Sequence, residues 1–273
     1  NMLETMEHRG PNKSALYRHK NIGLGHTRLS IRDLSHNGDQ PFKIDGENLI
    51  VVYNGELYNA DLIKRKIIRE VGNVFKGSSD TEVFSWAYYL WSETIFSQLE
   101  GMFAAAIWDT RKNELTLVRD HLGIKPLYIY QSDEKIVFAS ELKTILQHPD
   151  VESRFDYSGL ANLFRYGYSG TPNTTVENIS PLKPGHYLKV QNNVIHAETK
   201  FFSLKCSNEI RDIEEASYNF SLIFDEVIKD TLVSDLPVGV LQSGGIDSSL
   251  ITASASKFEK VNIYTVDFEN KNF

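Results

Sequence analysis

Up to about residue 190, apolar residues come in short runs punctuated by turn residues. Ile22 to Leu29 and Leu49 to Tyr53 read as strands, as do Phe103 to Trp108, Leu115 to Arg119, Leu127 to Tyr130 and Ile136 to Ala139. Between them, helical spacing links Leu57, Leu62, Ile63, Ile67 and Ile68, and then Val83, Phe84, Ala87, Tyr88 and Trp91. Met2, Leu3 and Met6 carry a helical pattern at the start, and Glu141 to Leu146 predicts a short helix. Paired strands, then helices, then strands again predict a two-sheet sandwich flanked by helices. The Gly- and Pro-containing stretch Gly167 to Gly185 reads as a connector, with a strand over Tyr187 to Val190 and another near Phe201.

Beyond about residue 211 the pattern changes. Ile213, Ala216, Phe220, Ile223, Phe224, Val227 and Ile228 predict one long amphipathic helix over Asp212 to Val233. The apolar run Leu236 to Leu241 then feeds Gly244-Gly245. Ile246, Leu250, Ile251, Ser254 and Phe258 follow at helical spacing, and Val261 to Phe268 reads as a strand. Strand, tight turn, helix and strand make a βαβ unit. Its turn falls where a strand ends and a helix begins, so freed N–H groups and the hydroxyls of Ser243, Ser248 and Ser249 would form an anion-binding nest. A Gly-Gly with serines also serves as a plain loop with a helix cap. The pattern places the domain boundary between about 190 and 211, here after residue 205, giving domains 1–205 and 206–273.

Composition narrows the function classes. With 273 residues and 41% hydrophobic content, one or two globular domains are expected. The net charge is −7 and the longest basic run is Lys64-Arg65-Lys66, which argues against nucleic acid as a partner. No apolar stretch approaches the ~20 residues of a membrane span, and Asn1 to Thr5 is no signal peptide. The single cysteine, Cys206, excludes an intrachain disulfide and fits a reducing, cytoplasmic location. The eight histidines show no zinc-like spacing.

Three motifs carry candidate chemistry. Ser243-Gly244-Gly245-Ile246-Asp247-Ser248 resembles the signature of the ATP-pyrophosphatase (PP-loop) enzymes, which activate a carboxylate or carbonyl as its adenylate. Asn54-Gly55 alone could be a hairpin turn, but the helical period from Leu57 on makes it a strand-to-helix junction where both residues can present polar groups. Ser79 or Asp80 is an ordinary helix cap unless its surroundings say otherwise.

Set in order, the motifs point to one family. His8-Arg9-Gly10-Pro11, His26-Thr27-Arg28-Leu29-Ser30-Ile31, Tyr53-Asn54-Gly55-Glu56-Leu57-Tyr58-Asn59 and Gly77-Ser78-Ser79-Asp80-Thr81-Glu82 come first. Glu100-Gly101-Met102-Phe103-Ala104 and Arg119-Asp120-His121-Leu122-Gly123-Ile124-Lys125-Pro126 follow, then the PP-loop. The series resembles the glutamine-dependent asparagine synthetases of the bacterial type over essentially the whole chain. The resemblance implies an α+β four-layer αββα sandwich of the N-terminal-nucleophile hydrolase type over 1–205. Behind it, 206–273 would be the beginning of an α/β PP-loop domain with a parallel sheet.

It also implies a division of labour. In such a glutaminase domain an N-terminal Cys attacks the glutamine side-chain amide and its own α-amine acts as base. Arg28 matches the residue that holds the glutamine α-carboxylate, and Asp80 the one that takes the α-ammonium. Glu56 is similar to a residue whose backbone helps hold the substrate, and Asn54 and Gly55 match the oxyanion hole. Ser243, Gly244, Gly245, Asp247, Ser248 and Ser249 match the ATP loop, with Asp247 helping to hold Mg²⁺. The main chain at Leu241 and Val266 matches the adenine pocket. Ammonia would pass between the sites through an internal tunnel. The expected reaction is ATP-dependent amide transfer from glutamine to aspartate, yielding asparagine, glutamate, AMP and pyrophosphate. Its partners are those small molecules, and a homodimer is one state the resemblance allows. Two alternatives stay open: the same chemistry on another carboxylate (a surface-polysaccharide sugar acid or the substrate of a β-lactam synthetase), or a non-catalytic glutamine- or ATP-binding module.

The chain departs from the family in four respects. Asn12 stands where Asp is usual, and Gln242 where a hydrophobic residue is usual. The family's N-terminal Met-Cys-Gly is absent; Cys206 has no α-amine and lies in the connector, so no glutaminase activity is expected of these residues alone. Both ends of the sequence read as cut from a longer protein, with weak ATP binding expected as a consequence.

Overall fold

A computed structural model describes residues 1–44, 46–206 and 210–267 and divides the chain into two units, Asn1–Ser203 and Leu204–Phe273. The first unit begins with a short 3₁₀ turn, Glu4–Arg9, and an antiparallel ribbon of β1 (Lys13–His19) and β2 (Ile22–Arg28). Strand β3 (Phe42–Lys43) pairs with β4 (Leu49–Leu57), and helices α1 (Ala60–Val71) and α2 (Asp80–Trp91) follow. Next come β5 (Gly101–Asp109), β6 (Glu114–Arg119), β7 (Tyr128–Gln131), β8 (Ile136–Ala139) and the short helix α3 (Leu142–Ile145). Helix α4 (Tyr157–Tyr166), β9 (Ile179–Pro181), β10 (His186–Gln191) and β11 (Val194–Lys200) complete the unit.

The alternation of side chains along β4 and β5 sets the layers, because successive strand residues face opposite sides of a sheet. Strands β11-β10-β6-β5-β4-β3 form one antiparallel sheet. Its odd-numbered residues Val51, Tyr53, Phe103, Ala105 and Ile107 pack under α1 and α2, against Ile63, Ile67, Phe84 and Ala87. Its even-numbered residues Ile50, Val52, Ala104, Ala106 and Trp108 meet Leu24 of the ribbon and Ile129 and Leu182 of the sheet β8-β7-β9. The outer face of that second sheet, Tyr130 and Val137, is covered by Leu142 and Ile145 of α3. The result is helix, sheet, sheet and helix in four layers, the sandwich expected from the sequence. Phe84, Phe96 and Phe103 are wholly buried in the cluster between the helices and the six-stranded sheet, each burial stabilising by about 1.5–3 kcal/mol.

Beyond the expected set this unit also has β1, the short β3, α4 and β9. One expected feature changes. Strand β4 does not end at Tyr53 but runs on through Asn54, Gly55 and Glu56 to Leu57, paired with Ala104, Phe103, Met102 and Gly101 of β5. The Asn-Gly is therefore strand, not a hairpin turn, and the helix starts three residues later at Ala60.

In the second unit, α5 (Ile213–Thr231) precedes β12 (Gly239–Leu241), α6 (Ile246–Ala255) and β13 (Asn262–Tyr264). Strands β12 and β13 are parallel, with Val240 opposite Ile263, so the βαβ unit forms as the spacing predicts. Its core is small: Leu232, Val240 and Ala255 with Ile228, Val238 and Val261. The last strand is shorter than expected, and Phe268, assigned to it from the sequence, lies outside the described residues. No helix among the described residues is long and apolar enough to cross a membrane.

Candidate active site and anion-binding loop

A cavity of about 1010 Å³ opens in the first unit, walled by β2, the 29–40 loop, the end of β4, the start of α2 and the middle of β5. It brings together Arg28, Asn54, Gly55, Glu56 and Asp80, all five residues singled out from the sequence. Backbone pairing explains the approach of β4 to its neighbour. A Cβ on Gly55 would lie 2.4 Å from the Met102 carbonyl and 2.7 Å from Phe103 Cβ, so only glycine passes there.

Asn54 and Gly55 stand in the strand facing the cavity. The side-chain nitrogen of Asn54 is buried and has no hydrogen-bond partner among the described residues. A buried donor without an acceptor costs about 1–3 kcal/mol and calls for an explanation. Asp80 is the first residue of α2, behind the cap Ser79, whose hydroxyl accepts from the Glu82 N–H at 3.4 Å. Its carboxylate accepts from the Leu57 N–H at 3.0 Å. Burial pushes the Asp80 carboxyl up, against the pull of Arg32 and the N–H donors around it. Glu56 is pushed up to about 7, first by burial and then by Asp80, opposed by Arg32 and Lys125. Arg28 is occupied: it donates to the Ser35 carbonyl at 2.7 Å, to Asp39 at 2.8 Å and to the Asp33 carbonyl.

Several members of the site escaped the sequence reading. Arg32 donates to the Leu57 carbonyl at 2.9 Å and stands 3.9 Å from Glu56 Oε2. It sits one residue past the matched motif ending at Ile31, and its charge beside that motif was the available signal. Gln40 accepts from the Tyr53 N–H at 2.6 Å and donates to the Tyr53 carbonyl (3.0 Å) and to Thr81 (3.2 Å), tying β4 to α2. His26 lines the same cavity, and burial holds it neutral, down to about 4. No pattern in the sequence marked Gln40. Asn12, one of the departures, is mild: its side-chain oxygen accepts the Ser30 N–H at 3.0 Å, which a carboxylate would do as well.

The second unit presents the other candidate. Between β12 and α6, Gly244 has φ +81 and open space where a Cβ would stand. Gly245 is the N-cap of α6 and offers no side chain. The Ser243 and Ser248 hydroxyls lie 3.2 Å apart, and Ser248 also donates to the Gly245 carbonyl at 3.1 Å. Ser243, Gly244, Gly245 and Asp247 are exposed, Ser248 and Ser249 half-buried, and Leu241 and Val266 are 81% and 73% exposed. Gln242, the other departure, bonds to Ser249 at 3.4 Å and accepts from Thr252 at 3.5 Å, so its amide links the loop to the helix. Glycines, hydroxyls and a helix start suit an anion approaching the backbone. Cys206 is exposed and free, and among the described residues no group of three or more His, Cys, Asp or Glu gathers for a metal.

Comparison with known proteins agrees with both halves. The model of the glutamine amidotransferase domain matches residues 1–202, and that of asparagine synthase matches 220–273. The chain is 35% identical over 280 residues to the glutamine-hydrolysing asparagine synthetase 3 of Bacillus subtilis, covering 99% of this chain and 45% of that protein. It is 33% identical over 258 residues to an amidase of Penicillium rubens, covering 91% and 37%. The glutamine phosphoribosylpyrophosphate amidotransferase of B. subtilis superposes on 92% of this chain and 52% of its own with a TM-score of 0.46 and 18% identity, so the fold assignment rests on the layers themselves. The chain spans less than half the length of these curated relatives. It belongs to the glutamine-hydrolysing asparagine synthetase family, with a glutamine amidotransferase domain first and asparagine synthase sequence after it.

Proposed function

We propose that the first unit binds free glutamine and presents its side-chain amide for hydrolysis. The second unit then belongs to a domain that adenylates aspartate with ATP, so that the released ammonia yields asparagine. The observation carrying this reading is the Asn54 amide: a buried donor without a partner, in the same cavity as the carboxylates of Glu56 and Asp80. Attack on an amide carbonyl builds negative charge on its oxygen, and a preorganised donor that has given up no other bond stabilises that charge most. Glu56 and Asp80 supply the anionic end for an α-ammonium, which favours a free amino acid over a residue within a peptide. Cys206 is not the attacking thiol in this reading, because it belongs to the other unit and carries no α-amine.

ATP would be held at the 242–249 loop, its phosphates against the backbone and hydroxyls of Ser243, Gly244, Gly245, Ser248 and Ser249. The main chain at Leu241 and Val266 would flank the adenine. Mg²⁺ takes one or two carboxylates with phosphate oxygens and water, so Asp247 suffices as its ligand from this loop. The magnesium nucleotide supplies an activated phosphoryl centre; the loop binds and orients it.

The test is product analysis on the full-length protein with glutamine, Mg-ATP and a panel of carboxylate acceptors. Asparagine, glutamate, AMP and pyrophosphate in equal amounts, only with aspartate, is the expected result. Pyrophosphate release independent of aspartate overturns the acceptor, and absence of glutamate overturns the glutaminase half. The panel matters because relatives of near-equal identity carry different names.

A further inference from the structure

A side chain, not a strand, closes the outer edge of β4 beside the cavity. Strand β3 pairs with β4 at two positions, Phe42 opposite Val51 and Lys43 opposite Ile50. Continued by two residues, that register sets Gln40 opposite Tyr53, and there the Gln40 amide takes the place of the ladder. Oε1 accepts the Tyr53 N–H at 2.6 Å and Nε2 donates to the Tyr53 carbonyl at 3.0 Å. Nε2 also donates to Thr81 Oγ1 at 3.2 Å, in the first turn of α2. Gln40 is 8% exposed, so these bonds replace ones that water would have made.

Successive strand residues turn their N–H and C=O to opposite edges, so Tyr53, Gly55 and Leu57 share the edge away from β5. Phe103, opposite Gly55 on β5, agrees. Its carbonyl accepts the Asp120 N–H at 2.7 Å, and its own N–H donates to the Asp120 carboxylate at 3.2 Å. Along that edge Gln40 grips Tyr53, while Leu57 donates to Asp80 at 3.0 Å and accepts from Arg32 at 2.9 Å. Gly55, in the cavity wall, lies between the two grips. A longer β3 would bring residue 38 opposite Gly55, yet Gly38 ends the 3₁₀ turn His36–Gly38 instead.

Resting on the reading of this cavity as a glutaminase site, we propose that Gln40 is a positioning residue for the donors of Asn54 and Gly55. The Tyr53 carbonyl and the Asn54 N–H belong to one peptide plane, so the bond to that carbonyl sets the direction in which Asn54 leaves the strand. Asn54 Nδ2 has no partner of its own among the described residues, and its aim depends on that plane. Preorganised donors work only when held in place before charge develops. A side chain suits this task better than a strand. A third strand would run on and take the Gly55 N–H, whereas one amide grips Tyr53 and leaves the next outward position open. Only an amide does both jobs, because the oxygen must accept and the nitrogen must donate.

The experiment measures glutamate release from glutamine by the full-length protein, with calorimetric melting to show that each variant folds. Gln40→Met keeps the length of the side chain and removes its three hydrogen bonds. It is expected to lower kcat about 10- to 100-fold, the scale of a misplacement of about 1 Å, with KM within a few-fold. Thr81→Val removes one of those bonds and is expected to lower kcat about two- to tenfold. Because Gln40 acts through Asn54, Gln40→Met combined with Asn54→Ala should lose clearly less than the product of the two single losses. Wild-type kcat in Gln40→Met, a loss confined to KM, or losses that multiply in full overturns the proposal. If Gln40→Met does not fold, Thr81→Val decides: lower kcat at constant KM upholds the proposal, and unchanged kcat overturns it. If the wild type releases no glutamate, the functional reading fails instead, and the two failures are distinct.

Discussion

On the proposed function, the cavity of the first unit and the loop of the second would take charged ligands by opposite means. In the cavity, on the reading proposed above, side chains would do the recognition: Glu56 and Asp80 line it where removal from water makes each charge expensive and selective. In the loop, backbone N–H groups and serine hydroxyls would do it, on an exposed turn with glycines where side chains would obstruct. The difference follows from the ligands. A free amino acid offers two charges of opposite sign close together, and telling it from a peptide requires a fixed counter-charge for each. A triphosphate offers many oxygens of one sign, which a nest of N–H groups meets without a single indispensable side chain. The first kind of site concentrates its function in few residues; the second spreads it.

The largest effect that follows is at Asn54, the proposed oxyanion donor. Asn54→Ala removes the unpartnered donor and is expected to lower kcat for glutamine about 10²- to 10³-fold, with KM little changed. Removing one hydroxyl of the loop, Ser248→Ala, is expected to change KM for ATP less than about tenfold, because the backbone donors remain. Steady-state kinetics on the full-length protein measures both. Equal losses at the two positions would break the contrast.

A smaller, structural version of the contrast compares two glycines. Gly55→Ala sets a methyl 2.4 Å from the Met102 carbonyl, between paired strands that have no room to part. Overpacking of this kind costs about 1–3 kcal/mol and should appear as a lower melting temperature. Gly245→Ala meets nothing nearer than Ser243 Oγ at 3.5 Å. It should leave the melting temperature within a degree or two, yet weaken ATP binding by obstructing the anion's approach. Calorimetric melting and ATP titration of the two variants separate a glycine needed by the fold from one needed by the ligand.

What the sequence showed of each region follows from the same distinction. The loop was legible because its elements are local: apolar run, Gly-Gly, serines and a helical period are contiguous, and the structure forms them as β12, turn and α6. The layers of the first unit were legible from the order of its elements, short apolar strands, then two amphipathic helices, then strands again. The path of Asn54-Gly55 was not. The helical period that begins at Leu57 puts the strand-to-helix junction at Asn-Gly, whereas pairing with Phe103 and Ala104, some fifty residues away, keeps it extended. Strand β1 was missed because the ribbon is largely exposed and Lys13 to His19 shows little apolar alternation. Helix α4 had a readable start and stop: the Asp156 carboxylate accepts the Ser158 and Gly159 N–H groups at 2.8 and 3.1 Å, and Gly167 closes it at φ +81. Within the cavity, matched motifs pointed to Arg28, Asn54, Gly55, Glu56 and Asp80, whereas Arg32 and Gln40 depended on which side chains the loop folds inward.

The smallest effect expected is also the one that ties stability to function. Burial, then Asp80, raises the Glu56 carboxyl from 4.5 to about 7, against Arg32 and Lys125. Between those two values the folded chain keeps a proton that the unfolded chain has released. The folded state therefore binds more protons in this window, and its stability falls as pH rises from about 4.5 to 7. Function runs the other way, because only the ionised carboxylate attracts an α-ammonium. The expected result is a melting temperature that declines from pH 5 to pH 7.5 more steeply in wild type than in Glu56→Gln. Over the same range kcat/KM for glutamine rises in wild type, several-fold between pH 6 and pH 8, and stays flatter in the variant. The hydroxyls and N–H groups of the second unit's loop do not titrate in this range, so the opposed trends belong to the buried site alone. Parallel pH profiles of melting and turnover in wild type and Glu56→Gln would show that Glu56 carries neither.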